Sequence, residues 1–199
     1  MAQSKVKQIL LFWFGDLNRG DVDMATKQRW FKKDPDFDQE IKKRFTTNVQ
    51  AASMGEYDAW QVQASGSLAL LILLDQFTRN IYRNNAQAWA CDTKAQHIAL
   101  DALEFKQDQD LLPIQRVFLY MPLMHAEDLS LQTRCVDLFR QLVQDTTVDG
   151  ESPYQMNLDY AIEHAEIIER FGRFPHRNKL LGRETTAEEA AFLEENPGF

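Results

Sequence analysis

A basic segment near the C-terminal end gathers residue types that bind anions and transfer protons. The stretch RFGRFPHRNKLLGR, residues 170–183, holds four Arg, one Lys and one His but no acid, in a chain whose formal net charge is −8. Arg offers a planar fork of donors that suits phosphate or carboxylate, and His titrates near neutral pH. Gly172 and Pro175 stop a continuous helix, so the segment is predicted to be a loop held by Phe171 and Phe174. Four polar side chains are expected to project from that loop: Arg173, His176, Arg177 and Asn178.

The alternative interpretation of this segment is an ordinary solvated surface, which is what most runs of charge turn out to be. Two phenylalanines and a proline alternate with the charges here. A purely solvated run has no use for such residues, because they gain stability only by packing. The composition of the segment therefore favours a site over a bare surface.

A second polar group follows the most apolar run of the chain. In LLDQFTRNIYR, residues 73–83, Asp75 ends the apolar run and Arg79 lies four residues on, the spacing of an ion pair across one helical turn. A buried Asp next to a guanidinium stays ionised and holds it in one orientation. Asn80 and Arg83 follow, so the segment is predicted to present an oriented Arg to an anionic ligand. The alternative is a structural salt bridge that ties a helix end to its loop.

The segment YMPLMHAED, residues 120–128, supplies a possible acid/base pair. Pro122 interrupts an apolar stretch just before His125 and Glu127, which can converge in a turn. The alternative is that Glu127 and Asp128 simply begin the next helix, where acids are favoured. The sequence leaves both interpretations open.

Polar residues also interrupt the apolar face of the helix predicted over residues 153–171. Asn157 and His164 fall in the middle of an arc that includes Met156 and Tyr160. A buried polar side chain without a partner costs about 1–3 kcal/mol. Either something polar faces this helix, or His164 is a core histidine bonded to a backbone carbonyl. The histidine at position 97, in contrast, falls on the outer face of its helix and is expected to be exposed.

These segments together define the predicted site, a pocket for a small anion that bears phosphate or carboxylate. Proton transfer is assigned to a catalytic group of four: His125, Glu127, His164 and His176. Ligand binding is assigned to eight residues: Asp75, Arg79, Asn80, Arg83, Asn157, Arg173, Arg177 and Asn178. If the protein is an enzyme, hydrolysis or transfer at a phosphate or carboxylate ester is the expected reaction. The alternatives are a module that binds acidic peptides or proteins without catalysis, and a purely structural role.

Several common classes of function find no support in the sequence. The phosphate-binding, dinucleotide, zinc-protease, nucleophile-elbow and EF-hand motifs are all absent. The four catalytic candidates match no local metal motif, and no cofactor is indicated. The net charge opposes general binding to nucleic acids or anionic membranes. Cys91 and Cys135 form no recognisable pair motif and are expected to be buried thiols in a reducing cytoplasm.

The elements that must position these residues are predicted to be helices in a single domain of 199 residues. Leu, Ala and Gln are abundant, whereas Gly and Pro are scarce, a composition that favours an all-α protein. Spacing and capping signals predict helices at 3–13, from Pro35 to about Met54, within 67–77 and 87–105, from Pro113 to about Pro122, at 129–144, within 153–171, and after Thr185 or Thr186. Short connections imply antiparallel neighbours among eight to ten helices. An interior stripe of the 87–105 helix is expected to include Phe105.

The same strings carry a family resemblance. LLDQFTRNIYR, YMPLMHAEDLSLQ and ERFGRFPHRNKLLGR followed by TTAEEAAFL resemble, in this order and over nearly the whole chain, the bacterial family catalogued as domain of unknown function 924. Thr78 stands where that family commonly has proline. This difference leaves Asp75 and Arg79 in place. The resemblance implies a tetratricopeptide-like fold, with antiparallel helix pairs in a right-handed array. It implies no established activity.

Overall fold

The computed structural model describes residues 2–17 and 22–196, and their regular structure is almost entirely helical. Ten α-helices follow one another: α1 Ala2–Phe14, α2 Met24–Phe31, α3 Pro35–Ser53, α4 Ala64–Leu71, α5 Thr78–Ile81, α6 Asp92–Glu104, α7 Pro113–Met124, α8 Leu129–Thr146, α9 Gln155–Phe171 and α10 Ala187–Glu195. Within the described residues, β structure is confined to an isolated bridge between Val148 and Glu151. The all-α fold predicted from the sequence is confirmed.

Side-chain caps fix where several helices begin, as the sequence predicts. The Asp34 carboxylate accepts hydrogen bonds from two backbone N–H groups of the first turn of α3, with Pro35 as the first helical residue. Asp128 does the same for α8. Thr186 and Glu189 form a reciprocal capping box at the start of α10. Each cap satisfies donors that a helix N-terminus would otherwise leave unpaired.

The chain divides into two compact units. Unit 1 comprises Met1–Arg83 and Gln87–Pro122, and unit 2 comprises Asn84–Ala86 and Leu123–Phe199. The single domain expected from the sequence stays a prediction, as does the right-handed tetratricopeptide-like array. Each unit carries one part of the predicted site.

Unit 1 is built around one buried helical stretch. It runs through α4, a π-helical segment at Ile72–Phe77, and α5 without a break. Every side chain from residue 68 to 74 is fully buried, so the central buried helix predicted from the apolar run is confirmed. Helices α1, α3 and α6 pack around this stretch. The π-helical segment was not predicted, because its wider turn leaves no signature in hydrophobic spacing.

Aromatic rings join α1 and α3 to the central stretch of unit 1. The Phe77 ring meets the rings of Trp13 and Phe45 at centroid distances of 5.5 and 4.7 Å. The Trp13 ring also stacks on Phe37 and meets the Phe118 ring edge-on. Such pairs are worth about 0.5–1.5 kcal/mol each beyond the area they bury. They hold α1 against the central stretch.

Unit 2 consists of the packed pair α8 and α9, followed by a loop and α10. Gly172 ends α9 with a positive φ of 68°, a conformation that glycine adopts without strain. The chain then turns through a short 3₁₀ helix at Pro175–Arg177. Phe174 is fully buried against Ile167 and Ile168 of α9. The predicted loop after α9, with Phe174 as its apolar anchor, is present.

Three apolar residues expected inside are exposed, and one helix is longer than predicted. Phe105 is 74% exposed because α6 ends at Glu104, so the helical spacing no longer applies to it. Met156 and Tyr160 are exposed because α9 buries a narrower stripe than the predicted arc. Helix α7 continues through Pro122 to Met124. The exposure predicted for His97 is confirmed.

Only one of the two cysteines is buried as predicted. Cys135 is fully buried and in no disulfide, whereas Cys91 is only half-buried. None of the described helices is long and apolar enough to cross a membrane.

We predict that Gly66→Ala destabilises the protein by about 1–3 kcal/mol, because overpacking strains a close contact. A Cβ atom at position 66 would lie 2.0 Å from the backbone carbonyl oxygen of Trp60, which has no flexible end to move away. Helix propensity alone would make Gly66→Ala stabilising. A loss of stability would therefore identify the close contact with Trp60 as the cause. Urea unfolding is the measurement, and Ser65→Ala at the exposed neighbouring position is the control. Equal stability of the two variants would contradict the close contact.

Candidate functional site

The predicted ion pair between Asp75 and Arg79 is present in unit 1 and includes a second acid. The two side chains lie 3.1 Å apart, and the Asp75 side chain is almost fully buried. Arg79 also pairs with Asp92 at 3.1 Å and donates to the backbone oxygen of Asp75. Gln76 donates to the other carboxylate oxygen of Asp75. Burial acts to lower the pKa of Arg79, but the two carboxylates raise it above its ordinary value.

Asn80 and Arg83, the other two candidates of this segment, both bind Asp38 of α3. Asn80 donates at 2.8 Å, and the Arg83 guanidinium donates to both carboxylate oxygens at 2.6 and 2.8 Å. Burial acts to raise the pKa of Asp38, but these bonds lower it overall. The contacts match the structural alternative, in which a helix end is tied to its neighbours. A role for these residues in ligand binding stays a prediction.

In unit 2, the buried ring of Phe174 is the centre of the other group of candidates. The ring centroids of His164 and His176 lie 5.6 and 5.7 Å from that of Phe174. The Arg177 guanidinium lies over the Phe174 ring, 4.5 Å from its centroid. The rings of His125 and His164 are 6.5 Å apart. We call this group, with Glu127 and Arg183 described next, the Phe174 cluster.

Glu127, in the turn that precedes α8, binds the backbone of the loop after α9. One of its oxygens accepts the backbone N–H of Phe174 at 2.8 Å. Arg183 donates to both oxygens of Glu127, at 2.7 and 3.0 Å, and also to the carbonyl oxygen of Phe174 at 3.1 Å. Burial acts to raise the pKa of Glu127, but these partners lower it overall. The carboxylate is therefore ionised, and both of its oxygens accept hydrogen bonds. Its role in orienting a histidine stays a prediction.

Arg173 lies on the other side of the loop and is committed to α10. Its guanidinium donates to both oxygens of Glu189, at 2.6 and 2.9 Å, and to the carbonyl oxygen of Glu184. The hydrogen bond from Arg173 is the main reason why the pKa of Glu189 falls to about 2. This pair ties the first turn of α10 to the end of α9. A direct contact of Arg173 with a ligand is untested and remains a prediction.

Arg177 and Asn178 are buried, so this part of the segment is not the solvated run that was the alternative. Arg177 donates to the carbonyl oxygen of His125 at 3.1 Å. The Asn178 side-chain oxygen and the Arg183 Nε have no hydrogen-bond partner among the described residues. Asn157 is half-buried on α9, and its assignment to the ligand also stays a prediction.

The two histidines next to Phe174 are uncharged at neutral pH. The Nδ1–H group of His164 donates to the Tyr160 carbonyl at 2.7 Å, as the core-histidine alternative requires. Since a carbonyl only accepts, this bond leaves Nε2 as the nitrogen with the lone pair. Burial, and then the neighbouring His125, lower the pKa of His164 to about 4. Burial and Arg177 lower that of His176 to about 4 as well.

Sequence reasoning did not assign Arg183 or the structural role of Phe174. Arg183 is the last cation of the basic segment, and its approach to Glu127, 56 residues earlier, has no local signal. Phe174 was recognised only as an apolar anchor. Within the described part of the chain, no three His, Cys, Asp or Glu side chains are placed to hold a metal ion together.

Comparisons with known proteins identify the family but no activity. The family model described as a bacterial protein of unknown function, DUF924, matches residues 9–197. The solved structure of the protein of unknown function ATU0120 from Agrobacterium tumefaciens is 40% identical and superposes with a TM-score of 0.84. The match covers 98% of this chain and all of the other. No curated protein matches significantly.

We predict that Asp75→Asn lowers the free energy of unfolding by about 2–3 kcal/mol, since a buried, charge-assisted bond is lost. Asp137→Asn is the matched control, because it removes a 2.6 Å ion pair with Arg140 whose side chains are both more than half exposed. That pair should be worth less than about 1 kcal/mol. Urea unfolding of both variants is the measurement, and a loss no larger at position 75 than at position 137 would refute the prediction.

A second prediction concerns the loss of stability at acidic pH. The folded-state pKa of His164 is depressed from 6.5 to about 4, so its contribution to stability is present above pH 6.5 and is lost as the pH falls toward 4. The loss is about 3 kcal/mol at most for one such histidine. His164→Asn should therefore show a smaller fall in unfolding free energy between pH 7 and 4.5 than the wild type. Carboxylates contribute equally to both proteins.

The control for this measurement is His97→Asn, which removes an exposed histidine. It should follow the wild-type profile within error. If His164→Asn keeps the full wild-type fall between pH 7 and 4.5, the neutral state assigned to His164 is wrong.

Proposed function

Because the chain belongs to the bacterial family of unknown function DUF924, we propose a function from its own residues: the Phe174 cluster binds a small anion that bears phosphate or carboxylate. Arg177 and Arg183 would neutralise the charge of the ligand, and His164 and His176 would exchange protons with it. The proposal uses residues of unit 2 alone.

The observation that carries the proposal is the gathering of two guanidinium groups and two neutral histidines around one partly buried loop. Arg183 donates to Glu127, which also accepts the backbone N–H of Phe174, and Arg177 lies over the Phe174 ring. His164 and His176 are neutral at pH 7 because their pKa values are about 4. Guanidinium groups with imidazoles beside them are the donors and proton carriers that suit a phosphate or carboxylate ligand.

An unsatisfied donor next to the same loop supports the proposal. The Arg183 Nε–H group has no hydrogen-bond partner among the described residues. Buried polar atoms without partners are rare in folded proteins and often mark a place where a ligand or water binds. A phosphate or carboxylate accepts from guanidinium N–H groups in a geometry that Arg suits well.

Unit 1 supports this proposal less well. Arg79 faces two carboxylates and Arg83 faces one, so these guanidiniums have no excess charge to offer. The convergence of Arg79, Arg83, Asp75 and Asn80 on the same ligand remains a prediction from the sequence.

Proton exchange follows from the electrostatics of the cluster. His125, His176 and Arg177 disfavour a charge on His164, and His125, Arg177 and Arg183 disfavour one on His176, while Glu127 favours it. A bound anion would raise both pKa values toward neutrality, where histidine is an effective general acid or base. Hydrolysis or group transfer at an ester of the ligand is therefore the reaction to look for.

The test is a thermal-shift panel of inorganic phosphate, nucleotides, phosphorylated sugars, and di- and tricarboxylates. A ligand present at 100 times its dissociation constant should stabilise the protein by about 2.7 kcal/mol. For any compound that binds, calorimetric titration in two buffers with different ionisation enthalpies at pH 6.5 should detect proton uptake. The absence of a shift across the panel would contradict the proposal.

Variants then locate the binding. His176→Asn and Arg177→Gln should abolish the shift, whereas Arg140→Gln, which removes an exposed guanidinium of unit 2, should keep it. Melting of the unliganded variants shows whether they fold. Because His176 is only partly buried, its variant remains informative if Arg177→Gln unfolds. An unchanged shift in His176→Asn would place the ligand elsewhere.

A further inference from the structure

An open groove in unit 1 lies outside every segment that the sequence singled out. It has a volume of about 690 Å³, within the range of about 300–1,000 Å³ found for small-molecule sites. One wall is a single face of α1, and the other is the segment of residues 59–66. We call it the α1 groove, lined chiefly by Val6, Lys7, Leu10, Leu11, Trp60 and Val62.

The groove exists because α1 is apolar on two sides. Ile9, Trp13 and Phe14 are buried in the core of unit 1. Leu11 is nevertheless 51% exposed on another side, and Val62 across the groove is 83% exposed. A surface helix ordinarily carries polar residues opposite its core face. Contiguous exposed apolar side chains of this kind mark binding sites.

The wall opposite α1 is held in place by its own contacts. The Trp60 ring stacks on Tyr57 at a centroid distance of 4.2 Å, with the planes 5° apart. The Lys5 ammonium donates to the Tyr57 hydroxyl at 2.9 Å, which links this wall back to α1. The backbone of Trp60 touches Gly66 so closely that no side chain fits between them. The groove is therefore preformed, and a ligand would pay little to order it.

The position of Lys7 in the groove favours an anionic head group beside it. Lys7 lines it, is exposed, and forms no ion pair with any described residue. Asp16 lies at the other end of the lining and has an interaction of its own. The lining follows α1 from Gln3 to Leu11, which spans about 12 Å at a rise of 1.5 Å per residue, and continues beyond the end of the helix to Leu17. A site of that length suits an extended chain better than a compact molecule.

We infer that the α1 groove binds an amphipathic anion, a molecule with an elongated apolar body and one anionic head. The body lies along Leu10, Leu11 and Val62, and the head lies at Lys7. This site is independent of the Phe174 cluster, which is in unit 2.

Displacement of the fluorescent anion 1-anilinonaphthalene-8-sulfonate from the full-length protein tests the inference. The competitors are decanoate, decanol and decylamine below their micelle concentrations, which share one chain and differ in head charge. Decanoate should displace the dye at the lowest concentration and decylamine at the highest. Lys7→Gln should weaken decanoate about two- to fivefold, as expected for an exposed charge pair, without changing decanol. Equal displacement by decanoate and decylamine would overturn the assignment of the head group.

Val62→Glu places a negative charge on the apolar path and should abolish displacement by decanoate. Phe105→Glu is the matched control, because Phe105 is an equally exposed apolar residue of unit 1 outside the groove. Both positions face solvent, so both variants should keep the wild-type melting temperature. Equal loss of binding in the two variants would refute the site. Displacement by an amphipathic acidic peptide, with none by decanoate, would also overturn the inference in favour of a protein partner.

Discussion

The backbone of Phe174 is fixed from both ends by one ion pair, and the arrangement of unit 2 around it depends on that pair. Glu127 accepts the N–H of Phe174, Arg183 donates to its carbonyl oxygen, and the two side chains bind each other in a bidentate geometry. A charge-assisted, bidentate pair is stronger and more directional than a neutral hydrogen bond. It therefore holds the Phe174 ring where His164, His176 and Arg177 surround it. Residues 47 to 56 positions apart in the chain are brought together by this contact.

The two units differ in the groups that surround their arginine side chains. In unit 1, Arg79 is matched by Asp75 and Asp92, and Arg83 by Asp38, so every guanidinium of the predicted set has at least one carboxylate. In the Phe174 cluster, Arg183 binds Glu127 and Arg177 lies over the Phe174 ring. The histidines are kept neutral by burial and by the neighbouring histidines and guanidiniums. Groups with strongly shifted pKa values are common at functional sites, although structural networks shift them too. The proposed anion site uses unit 2 alone because its guanidiniums lie beside histidines with shifted pKa values, whereas Arg79 and Arg83 are each bound to carboxylates.

Local patterns predicted the helices and several of their ends, because caps and hydrophobic spacing act over a few residues. Asp34, Asp128 and Thr186 each cap a helix as expected. The ion pair between Asp75 and Arg79 was also predictable, since four residues separate them along one helix. The partners Asp92, Asp38 and Glu189 were not, because tertiary folding brings them to Arg79, Arg83 and Arg173. The exposure of Leu11 and Val62 was missed for the same reason: an apolar residue does not reveal whether a neighbour covers it.

The burial of Cys135 has a practical consequence for how this chain can be studied. Cys135 is a buried residue of α8, and burial raises the pKa of its thiol well above the ordinary value. The thiolate is the nucleophile that attacks an alkylating reagent, so the sulfur becomes reactive only when α8 separates from its surroundings. Cys91, in the other unit, is half-buried, and burial and Asp92 raise its pKa. The rate of alkylation at Cys135 thus reports on the opening of unit 2 with no engineered label, whereas Cys91 is already partly accessible.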